Sequence, residues 1–173
     1  MARPLQWCGG AVNVRRTTAD DGERLREIRL EALERHPAAF SADLADAKAL
    51  TPEQWRANAV QRVTFFAEHD GAVVGMSGYG RDAGSKVKHG GNLYAMYVRK
   101  DARGTGAGDA LVKAVLDHAG REVEQIRLTV EADNVPAIRL YERHGFRVVG
   151  RLPRALRIGA AYYDELVMFR RLP

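Results

Sequence analysis

The hexapeptide RGTGAG, Arg103 to Gly108, sets a glycine at every second position behind an arginine. It stands between a strand-like run, GNLYAMYV (91–98), and an amphipathic one, DALVKAVLDHAG (109–120). A strand, a glycine-rich turn and a helix in that order gather free backbone N–H groups and the positive end of a helix dipole at one point, which suits a phosphate. Spacing separates the phosphate motifs. A dinucleotide fingerprint G-x-G-x-x-G counted from Gly104 ends on Asp109, and no G-x-x-x-x-G-K-[ST] run is present. What remains is R-x-x-G-x-G, carried by Arg103, Gly106 and Gly108.

Outward from this loop the periodicities fall into alternating elements. The helix after it is expected to bury Ala107, Ala110, Leu111, Ala114, Val115 and His118 and to stop at Gly120. In the strand before it Met96 and Val98 share a face while Leu93 is one residue out of phase, which predicts a β-bulge near Tyr94-Ala95. Upstream, VTFFAEHDGAVVGMSGYG reads as a hairpin about an Asp70-Gly71 turn. Before that lie a strand with Val12 and Val14 and a helix capped by Asp20 or Thr18, with a Leu25, Ile28, Ala32 and Leu33 stripe that Pro37 ends. A second helical region starts near Ser41 and restarts at Thr51, with Pro52 in first position and Gln54 closing a capping box. Downstream, Ile126, Leu128 and Val130 are in strand phase, NVPAIRLYERHG (134–145) is a helix, and FRVVG and YYDELVMFR are strands. The order β-α-α-β-β-β-α-β-α-β-β implies an α/β fold in which hairpins join a βαβ crossover, giving a mixed sheet with helices on its faces. Residues 1–10 have no periodicity and read as a flexible arm, leaving a single domain over 11–173.

The last helix carries a second pattern, N-x-x-A-x-x-L-Y-E-x-x-G-F, on Asn134, Ala137, Leu140, Tyr141, Glu142, Gly145 and Phe146. Asn134 and Tyr141 are two turns apart on one face, about 10.5 Å along the axis. With R-x-x-G-x-G ahead of it, the chain resembles the GNAT superfamily of N-acetyltransferases from about Val12 to Leu172, most strongly over Leu93 to Phe146. The resemblance implies a mostly antiparallel twisted sheet of about seven strands, the fourth and fifth parallel and splayed, with about four flanking helices. It implies acetyl-CoA as cosubstrate, its pyrophosphate cradled by the backbone of Arg103, Gly104, Thr105, Gly106, Ala107 and Gly108. Met96, Tyr97 and Val98 would meet the pantetheine arm through main-chain groups, with an amide of Met96 or Val98 facing the oxyanion, and Asn134 would hold the arm. Tyr141 would protonate the departing thiolate. Asp109 departs from the family pattern, and its carboxylate is expected to face solvent.

Other roles rest on weaker signals. Glu131, at the end of IRLTV, is the candidate general base, against the plainer reading of a solvated strand end. Glu31 and Tyr94 are candidates for lining the acceptor site, Glu31 being equally an i,i+4 partner of Arg35. The acceptor is an unidentified amine, a small molecule or a protein amine, expected to be chosen by the first two helices, the 81–90 connector and residues 154–160. The function read here is acetyl transfer to a primary amine by direct attack in a ternary complex. The alternative is a module of the same fold that binds acyl-CoA without catalysis.

Composition narrows the rest. Lys and Arg number 27 against 22 Asp and Glu, for a formal charge of +5 and a pI near 9.6. The basic residues are scattered, and no aromatic-interleaved stripe favours a nucleic-acid partner. The single cysteine, Cys8, cannot close an internal disulfide and argues for a reducing compartment. No apolar run approaches the roughly 18 residues of a membrane span. The chain is therefore expected to be cytoplasmic, with no membrane partner, and compatible with a homodimer. His89, His118 and His144 lack metal-ligand spacing, so no metal is expected.

Overall fold

The computed structural model of the chain describes residues 11–173, so the arm at 1–10 and Cys8 lie outside the described residues. In chain order the elements are β1 (Asn13–Arg16), α1 (Gly22–Arg35), α2 (Leu44–Lys48), α3 (Pro52–Gln61), β2 (Val63–His69), β3 (Ala72–Arg81), β4 (Gly90–Val98), α4 (Ala107–Ala119), β5 (Gln125–Glu131), α5 (Val135–Arg143), β6 (Arg147–Ile158) and β7 (Ala161–Arg171). The strands form one seven-stranded sheet in the order β1-β2-β3-β4-β5-β7-β6, and only β4 and β5 pair in parallel. There are five α-helices against about four expected, and the region after Ser41 forms two of them, α2 and α3, as its restart at Thr51 predicts. Asp43 caps α2 by accepting the Ala45 N–H at 2.6 Å. Thr51 and Gln54 form the predicted capping box at the start of α3, at 3.3 and 2.8 Å.

Local chemistry sets the sheet's geometry. The β2–β3 hairpin turns on Asp70 (φ 48°) and Gly71 (φ 77°), the paired left-handed conformation that Asp-Gly tolerates. α1 and α3 cover one face of the sheet. There Leu25, Ile28, Ala32, Leu33, Trp55 and Ala59 pack on Phe66, Met76 and Tyr97. On the other face Val112, Val115, Leu116 and Ala119 of α4 pack with Leu93, Ile126, Leu128, Tyr141 and Phe146. The buried arc of α4 is wider than its sequence stripe suggested, since α4 lies across several strands and also touches α5. Val112, Leu116 and Ala119 are in the core, while Ala110 and Ala114 are only half-buried.

Two features open the sheet in its middle. β4 pairs with β5 only from Gly90–Asn92 to Gln125–Arg127, and beyond Asn92 the two strands are unpaired. The connector residue Asp82 latches this vertex, accepting from Arg127 at 2.7 and 3.0 Å and from Asn92 Nδ2 at 2.8 Å. Arg127 above all holds the Asp82 carboxyl below its ordinary pKa. On its other edge β4 stays bound to β3, but Tyr94 faces Gly78 and Tyr97 faces Met76, so Ala95 and Met96 together oppose Ser77 alone. This is the bulge predicted from the phase of GNLYAMYV, and Ala95 sits in it at φ 54°.

The first helical turn is tied to the far edge of the sheet by a buried carboxylate. Asp21 accepts both Arg15 Nη atoms at 2.7 Å and the Thr18 N–H at 2.8 Å, and Arg15 also reaches Glu68 at 2.9 and 3.1 Å. The Arg15 hydrogen bonds hold the Asp21 carboxyl far below the usual carboxylate range, overriding the opposing effect of burial. Because the folded pKa lies well below the unfolded value of about 3.9, this stabilisation is complete above the unfolded value and is lost progressively as pH falls from there toward the folded pKa. Asp21→Asn is therefore expected to cost ~3 kcal/mol near neutral pH, with the gap from the parent closing below about pH 4. Thermal melts across that range check this. A gap that stayed constant in acid would mean that the loss is one of packing and not of charge.

Candidate active site

The glycine loop is built as a helix start. After β4 a short turn at Lys100–Ala102 leads to Gly104 (φ 83°) and Gly106 (φ 89°), and α4 begins at Ala107. Both glycines occupy the left-handed region that other residues enter only with strain. Thr105 spends its hydroxyl within the loop, donating to the Ala102 carbonyl at 2.7 Å. The Ala110 N–H bonds back to the Gly106 carbonyl at 2.9 Å, which leaves the amides of Ala107, Gly108 and Asp109 without partners inside the helix. A Cβ at Gly108 would come within 3.2 Å of Leu140, so this position lets the first turn of α4 close on α5.

The arginine at the head of the motif points away from the glycines. Arg103 donates through Nε to the Val98 carbonyl at 3.2 Å and lies 3.1 Å from His36 Nε2. Burial, then the charges of Arg103 and Arg35, lower the pKa of His36, which keeps its ring neutral. The Asp109 side chain is 47% exposed, as expected, but it is paired. It turns to the C-terminal end of α5, within 3.1 Å of Arg143 Nη2 and 3.0 Å of His144 Nε2. Burial works against its charge, but these two partners outweigh it and hold the carboxyl below its ordinary value. Arg143, His144 and Gly145 join Arg147, Arg170 and Arg171 around a strongly cationic cavity of about 560 Å³.

Where β4 and β5 part, a cleft of about 450 Å³ opens between Leu93 and Tyr94 on one side and Leu128 and Thr129 on the other, with Leu152 and Val167 beyond. The Tyr94 ring is seated over Gly78, where a Cβ would lie only 2.5 Å from Cε2. Tyr141 is buried with its ring edge-on to Phe146 at 5.9 Å, and its hydroxyl has no hydrogen-bond partner among the described residues. Burial alone pushes that phenol well above its ordinary pKa. Asn134 caps α5, its side-chain oxygen accepting the Ala137 N–H at 3.3 Å. Glu131 accepts the Asp133 N–H at 3.3 Å and stands in register with Glu165, to which Thr129 donates at 3.2 Å. It therefore lies on the face of β5 that carries Thr129.

Glu31 is not a free carboxylate in this arrangement. It accepts from the Tyr97 hydroxyl at 2.9 Å and from Arg99 at 2.8 and 2.9 Å, with Arg35 at 3.7 Å. The contact binds α1 to the end of β4, and burial together with Glu31 pushes the Tyr97 hydroxyl up to about 12. Sequence reasoning missed Arg99, and it missed Leu152 and Val167 in the cleft wall. Nothing in the linear chain separates Arg99 from the other arginines, since it meets Glu31 across 68 positions.

Among the described residues no three His, Cys, Asp or Glu side chains converge as a metal site, and no helix is long and apolar enough to cross a membrane. Residues 23–146 match the Acetyltransferase (GNAT) family. A mycothiol acetyltransferase of Thermobispora bispora is 35% identical over 129 residues, covering 73% of this chain and 43% of its own. The chain thus spans less than half the length of that relative. In structure it is similar to an acetyltransferase of the GNAT family from Streptococcus pneumoniae, with TM-score 0.84 and 23% identity over 94% of this chain and 100% of that one. It is likewise similar to yncA of Salmonella typhimurium, a putative acetyltransferase solved with its cofactor acetyl-CoA, with TM-score 0.77 and 21% identity over 94% and 95%. A glycine loop at the start of α4, a bulged β4 parted from β5 and a family match over most of its length agree: the chain belongs to the GNAT family of acetyltransferases.

Proposed function

We propose that this chain moves an acetyl group from acetyl-CoA to a primary amine by direct attack of the amine while both are bound. The observation that carries the reading is the parting of β4 from β5 beyond Asn92, immediately ahead of the free amides at the start of α4. These residues fit the cosubstrate. A Cβ at Gly104 or Gly106 would meet nothing within 4 Å, so the loop has room for a bulky anion beside a helix N-terminus. The loop from Arg103 to Gly108 holds the pyrophosphate, and main-chain groups of Met96, Tyr97 and Val98, with Asn134, hold the pantetheine arm. When bound, acetyl-CoA supplies the activated thioester.

The remaining steps belong to this chain's own groups. As the amine nitrogen bonds to the carbonyl carbon and the C–S bond breaks, Glu131 takes the proton lost by nitrogen and Tyr141 gives one to sulfur. The raised pKa of Tyr141 keeps its phenol protonated at neutral pH, the form an acid needs. The backbone amide of Met96 or Val98 faces the oxyanion. A longer curated relative is named for mycothiol, but that name belongs to a protein of which this chain matches 43%.

Three outcomes test the reading. Gly106→Glu should abolish the rise in melting temperature that acetyl-CoA gives the parent, and an unchanged rise would remove the loop from the site. Tyr141→Phe should lower kcat about 100-fold while keeping that rise. A variant at full rate would return Tyr141 to a packing role beside Phe146. Glu131→Gln should flatten the acidic limb of the pH–rate profile, and a profile unaltered in shape would exclude Glu131 as the base.

A further inference from the structure

Arg29, in the middle of α1, rests its guanidinium on the Phe40 ring, 4.9 Å from the centroid, with Nη1 buried and without a hydrogen-bond partner. Among the described residues neither Arg29 nor Arg62, the C-cap of α3, has a carboxylate partner. Arginine stays protonated in proteins, so a guanidinium withdrawn from water without a counter-ion bears an uncompensated desolvation penalty. The face of Phe40 attracts the cation but cannot accept the N–H groups in the guanidinium plane. Burial and the nearby charge of Arg62 both act to lower the pKa of Arg29. Two other half-buried arginines are paired with carboxylates: Arg15 with Asp21 and Glu68, Arg99 with Glu31.

Tyr94 connects this pair of cations to the cleft. It forms part of the cleft wall, and it lies within electrostatic reach of both Arg29 and Arg62. Its ring cannot retreat toward the sheet, because it already fills the space above Gly78. The cleft has apolar walls at Leu93, Leu128 and Leu152, and Tyr94 is the lining residue on which the charges of Arg29 and Arg62 act.

Building on the acetyl-transfer reading, we propose that the acceptor amine also carries a carboxylate, and that Arg29 together with Arg62 binds that carboxylate at the Tyr94 end of the cleft. A carboxylate satisfies a guanidinium fork with two parallel hydrogen bonds, which would supply the acceptors Arg29 lacks within the chain. The volume of about 450 Å³ admits an amino acid with an apolar side chain.

The test compares α-amino acids bearing apolar side chains with their own carboxamides, using the full chain and thiol release from acetyl-CoA. The acid is expected to exceed its amide in kcat/KM by about tenfold to a hundredfold, the worth of one charge-assisted pair. Arg29→Met and Arg62→Met should each shrink that ratio by raising KM for the acid. Arg29→Lys, which keeps the charge, should retain part of it, and the melting shift with acetyl-CoA reports that each variant is folded. Calorimetric binding of N-acetyl amino acids against their amides, with CoA present, reads the same preference without turnover. Equal handling of acid and amide, or a preference that survives both Met variants, overturns the proposal. Absence of any melting shift with acetyl-CoA would instead sink the acetyl-transfer reading, and the calorimetric comparison would still decide the carboxylate site.

Discussion

β4 is bound to β3 along most of its length and to β5 by three residue pairs only, and this imbalance makes the cleft. A parallel neighbour that zipped further along would consume the β4 edge and close the gap. The Asp82 carboxylate bonds both Asn92 and Arg127, the last pair before the strands part, and so fixes where the gap begins. The bulge opposite Ser77 then turns the strand, at the cost of placing Ala95 at φ 54°, a strain of about 1–2 kcal/mol for a residue with a Cβ. The strain persists because the neighbours determine it from both sides. Tyr94 is pressed over Gly78, and Tyr97 is buried against α1 through Glu31.

Much of this was legible because its signals are local. The bulge could be read from a one-residue slip between Leu93 and Met96, and the hairpin from Asp70-Gly71, since strand phase and turn chemistry involve adjacent residues. The loop could be read from its glycine spacing, and α5 from Asn134, which proves to be its cap. What escaped depends on contacts between distant segments. Asp109 is solvent-exposed as expected, but its pairing with Arg143 and His144, 34 and 35 positions away, could not be read. Glu31 was considered for the acceptor site, and its bonds to Tyr97 and Arg99, which join α1 to the end of β4, could not be read. The isolation of Arg29 could not be read at all, because lacking a partner is a property of the folded surroundings and not of any motif.

The net charge of +5 acquires meaning from where the positive charge is left uncompensated. Asp109 holds back part of the cationic surface at the end of α5, but Arg147, Arg170 and Arg171 remain around that cavity. Arg29 and Arg62 likewise have no acidic partner among the described residues. Positive potential left at the surface draws in anionic ligands before any specific contact is made, and that attraction weakens as salt rises.

The interior is arranged the opposite way. Leu93, Leu128, Tyr141 and Phe146 belong to one apolar cluster, so the single polar atom that Tyr141 brings there is surrounded by groups that cannot stabilise a phenolate. Under the proposed mechanism such a phenol suits proton delivery: burial raises its pKa, so the hydroxyl stays protonated until a departing thiolate can accept the proton. Arg29 differs in that its Nη1 is buried and unpaired, a cost to the folded chain that the proposed acceptor carboxylate would relieve.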